Sequence, residues 1–206
     1  MYLIKTPFLL RALYPNCVWK KPTNEKRIYL SFDDGPHPIA TPFVLEQLEK
    51  YDAKASFFCI GKNVAEHPAI YEQIIAKGHT VGNHTQHHVN GWHTEDDLYL
   101  QNIAQASTPI QSNFFRPPYG RIKKSQIRKI RADKSLPQAI IMWDVLSGDF
   151  DTTITGQKCL SNVLKHTKAG SIVVFHDSAK AWDRLQVALP ATLDYFTQKG
   201  FQFRAL

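Results

Sequence analysis

The sequence predicts a single α/β domain with parallel strands, and three observations carry that expectation. Short β-branched or aromatic runs alternate about seven times with stretches of helical periodicity. The chain has 206 residues, the size of one domain, and no linker, charge block or repeat divides it. Its apolar fraction of 43% excludes disorder, and no apolar run approaches the roughly 18 residues of a membrane span. The alternation fits an incomplete barrel or a doubly wound sheet, and periodicity alone does not choose between them. In both, a site is expected at the carboxyl ends of the strands.

The elements follow in order. Thr6 reads as an N-cap and Pro7 as a first helical residue, opening a short amphipathic helix to about residue 14. Residues 28–32 read as a strand. Thr41-Pro42 starts a helix whose apolar Phe43, Val44, Leu45 and Leu48 keep a 3-4 spacing. Residues 56–60 form a second strand, 68–76 a helix stopped by Gly78, and 79–83 a third strand. A helix over 95–106, a short strand at 114–115 and a basic helix over 123–134 come next. A strand at 139–143, a helix over 157–168 ended by Gly170 and a strand at 172–175 follow. The last helix spans 182–199, with Pro190 kinking or restarting it, and 201–203 is a closing strand.

Composition narrows the function classes. Lys and Arg number 25 against 18 Asp and Glu, a formal charge of +7 that invites a nucleic-acid or polyanion partner. The densest basic stretch, 121–131, holds six cations at irregular spacing and reads as a solvated helix face. No run interleaves aromatic and basic residues, so nucleic acid is not expected. Cys17, Cys59 and Cys159 are odd in number and far apart, which argues against a disulfide framework and a structural zinc finger. Phe8-Leu9-Leu10 is too short for a secretory signal core, so the default expectation is a cytoplasmic monomer without a membrane span.

Five polar clusters fall after successive predicted strands. The strand at 28–32 runs into Asp33-Asp34-Gly35-Pro36, whose adjacent carboxylates point to different sides and can take different roles. In His84-Thr85-Gln86-His87-His88, the i, i+4 pair His84 and His88 would share one helical face at a separation suited to a metal. His87 is a rival ligand by spacing. Catalytic zinc takes three protein ligands and a water, so two of these histidines and Asp33 or Asp34 make a set. Arg116-Pro117-Pro118-Tyr119-Gly120 forms a stiff turn able to aim one backbone N–H at an oxyanion. Trp143-Asp144 and Asp149-Phe150 flank a Ser147-Gly148 turn, and the strand at 172–175 ends in His176-Asp177, a place suited to acid-base chemistry. Each cluster alone could be a turn or a helix cap; their shared position at one end of the strands is what points to a site.

Together, residues 31–36, 84–88, 116–120, 143–150 and 172–176 resemble the five motifs of the polysaccharide deacetylases of carbohydrate esterase family 4, the NodB-homology domain. The resemblance implies a single-domain distorted (β/α)7 barrel, TIM-barrel-like, over residues 27–206, with 1–26 a helical extension packed on it. It implies hydrolysis of acetyl groups on amino sugars of peptidoglycan, chitin-type or related glycans. Asp34, His84 and His88 would bind zinc or another divalent transition metal. Asp33 would be the base, held by Arg116, and His176 the acid, partnered by Asp149. The Tyr119 N–H would join the oxyanion site, with Phe150, Val174, Trp143 and Pro117 contacting substrate. This chain departs from the family at Leu146, where an Asp is usual, and at Phe150, where a Trp is usual; Ile172 and Val174 replace leucines. A deformylase or other amidohydrolase on a small or lipid-linked acylated sugar is the alternative within the fold. A non-catalytic carbohydrate-binding relic is the alternative from another class, and the intact Asp33, Arg116 and His176 argue against it.

Overall fold

The computed structural model describes residues 2–206. After α1 (Phe8–Leu13) and the two-residue β1 (Cys17–Val18), the chain enters β2 (Arg27–Asp33), the best-connected strand. Then come α2 (Ala40–Lys50), β3 (Ser56–Cys59), α3 (Gly61–Glu66), α4 (Pro68–Ala76), β4 (Thr80–Asn83), α5 (Asp96–Ser107), β5 (Phe114–Phe115) and α6 (Lys124–Ala132). The second half adds β6 (Ala139–Ile141), β7 (Val145–Leu146), α7 (Gly156–His166), β8 (Ile172–His176), α8 (Trp182–Gln198) and β9 (Gln202–Phe203). The strands pair in the order β1-β6-β5-β4-β3-β2-β8-β7, all in parallel, with β9 on the lower half of β2. The sheet curls into the distorted (β/α)7 barrel.

Strand parity decides which side chains face the site. On β2, Ile28, Leu30 and Phe32 join the main apolar cluster with α2 and α8, as do Phe57 and Cys59 of β3 and Val173 and Phe175 of β8. The alternate residues Ser31, Asp33, Val174 and His176 therefore face the barrel interior. Parallel strands covered on both faces are apolar throughout, so a carboxylate or an imidazole on them stands out.

The N-terminal segment lies across the barrel's open seam. Lys5 bridges Val145 in antiparallel fashion, Leu146 donates its N–H to the Ile4 carbonyl at 2.9 Å, and β1 extends the opposite edge beside β6. Asp144, wholly buried just before β7, takes Lys5 Nζ at 2.6 Å and is also paired with Arg11.

Several expectations are corrected. Pro7, not Thr6, caps α1; the Thr6 hydroxyl instead donates to the Trp143 carbonyl, so it ties the segment to the barrel. β1, α3 and β7 were not expected: Cys17–Val18 and Val145–Leu146 are two-residue strands without the aromatic pair that marks β5, and α3 is a single short turn-and-a-half whose only buried residues are Gly61 and Val64. Pro190 lies inside one continuous α8. The three cysteines are free and buried. No helix among the described residues is long and apolar enough to cross a membrane.

Candidate active site

Asp33 ends β2 and lies in register with His176 at the end of β8 and Phe58 of β3. Its carboxylate receives Arg116 Nη1 at 2.6 Å. Arg116 is fully buried, yet none of its polar atoms is wasted. Nη1 also donates to Ser31 Oγ, Nε to the Ile141 carbonyl and Nη2 to the Met142 carbonyl, while its carbon lies 3.9 Å above the Phe58 ring centre. A charge this deep persists only when paired and saturated with hydrogen bonds. Asp33 is thus anchored by a buried ion pair and faces the interior.

The next residue turns away. Asp34 has a left-handed backbone (φ 81°), so its carboxylate leaves the Asp33 side and meets two imidazoles. Asp34 Oδ1 lies 3.2 Å from His88 Nε2 and 3.7 Å from His84 Nε2, and one ligand atom from each residue falls within a 4.8 Å cluster. His84 Nδ1 donates to the Arg116 carbonyl at 2.8 Å, which leaves Nε2 as the lone-pair nitrogen. Burial pulls His84 down to about 4 against the pull of the Asp33 charge, so its imidazole is neutral and fit to ligate. Burial would raise the Asp34 carboxyl, but the adjacent His88, with His176 and His84 nearby, holds it well below the usual carboxylate range. A buried carboxylate oxygen without an aligned hydrogen bond, facing the Nε2 atoms of two imidazoles, is a fitting pocket for a divalent cation.

The histidines do not share a helical face. Residues 84–88 form a loop in which Thr85 (φ 64°) and His88 (φ 53°) are left-handed. Asn83 Oδ1 accepts the Thr85 N–H at 2.8 Å, and Asn102 Oδ1 accepts those of Gln86 and His87. These side chains hold the loop open and return His88 to His84 at a ring separation of 5.0 Å. The i, i+4 spacing found the pair for the wrong geometric reason. His87 is exposed and outside the cluster.

On the other side of Asp33, His176 donates its backbone N–H to Asp149 Oδ2 and Nδ1–H to Oδ1, both at 2.7 Å. Asp149 is wholly buried, and Arg184 Nε donates to its carbonyl. Burial draws His176 down, but the charge and hydrogen bond of Asp149 overcome it and push the imidazole up to about 10. The raised value favours the cationic ring.

The remaining expected residues sort by position. Tyr119 is left-handed (φ 60°), its ring packs edge-on 4.5 Å from that of His88, and its backbone N–H has no acceptor among the described residues. Pro117 is buried at the base of that turn, and Trp143 closes on Gly120, where a Cβ would approach the indole to 2.5 Å. Phe150 stands edge-on to His176, with ring centres 5.3 Å apart, and to Tyr2 at 4.9 Å. Val174 is on the interior face one step below His176 and is wholly covered.

Sequence reasoning missed Asp177, which read as a cap for the last helix. Its carboxylate instead accepts the Gly35 N–H at 3.1 Å and the Thr41 hydroxyl, so it fixes the turn that follows Asp34. A Cβ on Gly35 would meet this carboxylate at 2.1 Å, which is why glycine stands there. Burial pushes Asp177 up to about 8, with the Asp34 charge adding and the Thr41 hydrogen bond opposing.

Known proteins resemble this chain in sequence and fold. The family model described as polysaccharide deacetylase matches residues 20–136. A peptidoglycan-N-acetylglucosamine deacetylase of Bacillus cereus is 31% identical over 191 residues, covering 90% of this chain and 88% of its own length. A chitooligosaccharide deacetylase of Azorhizobium caulinodans is 31% identical over 172 residues, covering 78% of this chain and 80% of itself. The crystal structure of a peptidoglycan N-acetylglucosamine deacetylase bound to an N-hydroxybenzamide superposes with a TM-score of 0.85 at 28% identity, covering 98% of this chain and 95% of its own. With its barrel, its paired aspartates and its two histidines on one cluster, the chain belongs to the polysaccharide deacetylase family, carbohydrate esterase family 4.

Proposed function

We propose that the protein is a zinc-dependent N-deacetylase of amino-sugar glycans, acting on peptidoglycan or chitin-type chains. The observation that carries the reading is the division of labour at the end of β2: Asp33 is clamped by Arg116, while Asp34 faces His84 and His88. Asp34, His84 and His88 would hold the metal, which when bound lowers the pKa of a water toward about 7 and polarises the acetyl carbonyl. Asp33 accepts the attacking water's proton; Arg116 pairs with its carboxylate and aims it. The free Tyr119 N–H donates to the oxygen that gains charge as the carbonyl carbon becomes tetrahedral. His176, charged through Asp149, gives its proton to the sugar nitrogen as the C–N bond breaks, releasing acetate and the free amine. Phe150 and Trp143 wall the acyl side.

The test is purification with metal analysis, followed by acetate release from N-acetylglucosamine oligomers, peptidoglycan and acetylated xylan. Zinc at one equivalent and acetate from an N-acetylated glycan are expected. Stoichiometric zinc without release from any of the three would overturn the glycan reading.

A further inference from the structure

Among the described residues thirteen large apolar side chains are exposed, and six lie in the first eighteen positions: Leu3, Phe8, Leu9, Leu10, Leu13 and Val18. Isolated exposed apolar residues are ordinary, but four on one six-residue helix are not. The segment is not loose. Thr6 bonds the Trp143 carbonyl, Arg11 and Lys5 grip Asp144, and Cys17 and Trp19 are buried on either side of Val18. α1 is therefore pinned by its polar residues and buries none of its own side chains. The apolar ones point outward.

The surroundings are basic. Lys5 and Arg11 place two cations on one buried anion. Lys5 also donates to the carbonyl of His166, which Lys165 and Lys168 flank at the end of α7. Arg131 donates to the Asn16 carbonyl, and Lys20 bridges Ser171. Asp133, the acidic neighbour of Arg131, is engaged with Ser135. The surface also sits at a defined end. Asp144 and Ser171 immediately precede β7 and β8, so α1 lies at the amino ends of strands whose carboxyl ends carry the catalytic cluster.

We propose that α1 and its flanking residues are a docking surface for an anionic lipid bilayer, with the apolar side chains entering the headgroup boundary and the basic collar meeting lipid charge. A second copy of the chain is the poorer occupant, because it would bring two basic collars together in a protein of formal charge +7. Docked this way, the catalytic end faces away from the lipid. The inference does not depend on the reaction at the site.

The experiment uses the full chain with vesicles of phosphatidylcholine alone or mixed with phosphatidylglycerol. Co-sedimentation is expected with the anionic vesicles only, weakening as salt rises. Replacing Phe8 and Leu9 by Ser, both exposed, should lower binding at least tenfold while the thermal melt stays in place. A Phe8→Trp variant should blue-shift its fluorescence on anionic vesicles. No binding to anionic vesicles, binding indifferent to the double substitution, or a concentration-dependent dimer abolished by it would each overturn the proposal.

Discussion

Asp33 and His176 occupy paired positions in the register of β2 and β8, so two neighbouring parallel strands end in an anion and a cation facing the same interior. Each has its own buried partner, Arg116 for the aspartate and Asp149 for the histidine. Each therefore takes its main ion pair from a different element.

Asp33→Asn should keep the metal and lose turnover. The amide still fills the space before Arg116 but takes no proton, so a fall of about 10²–10⁴ in kcat is expected. Metal content by mass spectrometry and acetate release check this together. Loss of metal in the variant would mean that Asp33 and Asp34 had exchanged roles.

Stripping the metal should abolish activity, and zinc should restore it. Ala at Asp34, His84 or His88 should reduce metal stoichiometry, because each removes one of three donors. His87→Ala, outside the cluster, should leave metal content and rate at the parent level. A metal-depleted His87 variant would make that side chain the true ligand.

The pH profile should reveal the Asp149–His176 couple. His176 is competent only when protonated and its pKa is raised to about 10, so kcat is expected to hold through neutral pH and fall on the alkaline side near that value. Asp149→Asn removes the charge that raises it, while burial continues to lower it. The alkaline limb should then move down to or below the ordinary imidazole value of about 6.5. An unmoved limb in that variant would assign it to another group.

Asp177→Ala should weaken metal binding by about 10–100-fold, the usual effect of deleting a side chain that orients a ligand. It frees the Gly35 N–H and the Thr41 hydroxyl, and with them the turn that presents Asp34. Asp177→Asn should restore part of the binding, because its amide oxygen still accepts the Gly35 N–H while its NH2 replaces the acceptor that met Thr41. Titration with zinc and a competing chelator separates the two variants.

How much the sequence disclosed depended on the kind of signal. The helices were readable from their 3-4 apolar spacing and the longer strands from β-branched or aromatic runs; β1 and β7, two residues each without an aromatic pair, were not. The carboxylates, imidazoles and guanidinium of the site were readable as chemical types falling after strands. The backbone that assembles them was not: Asp34, Thr85, His88 and Tyr119 have positive φ, and the turns at Gly35 and at Gln86-His87 are held by the distant Asp177 and Asn102. Asp144 shows the same limit, for it lies in the fourth cluster yet serves Lys5 and Arg11 at the opposite end of the barrel.

The seam has a consequence for the order of assembly. Residues 2–20 meet partners at Val145, Asp151 and Ser171, so this segment finds its place only after more than a hundred later residues exist. Tyr2 braces Phe150, and Phe150 flanks the imidazole of His176. The catalytic wall is thus among the last parts to form, and a chain arrested before residue 176 would have neither proton donor nor closed barrel. Such long-range closure predicts slow folding for a protein of this size.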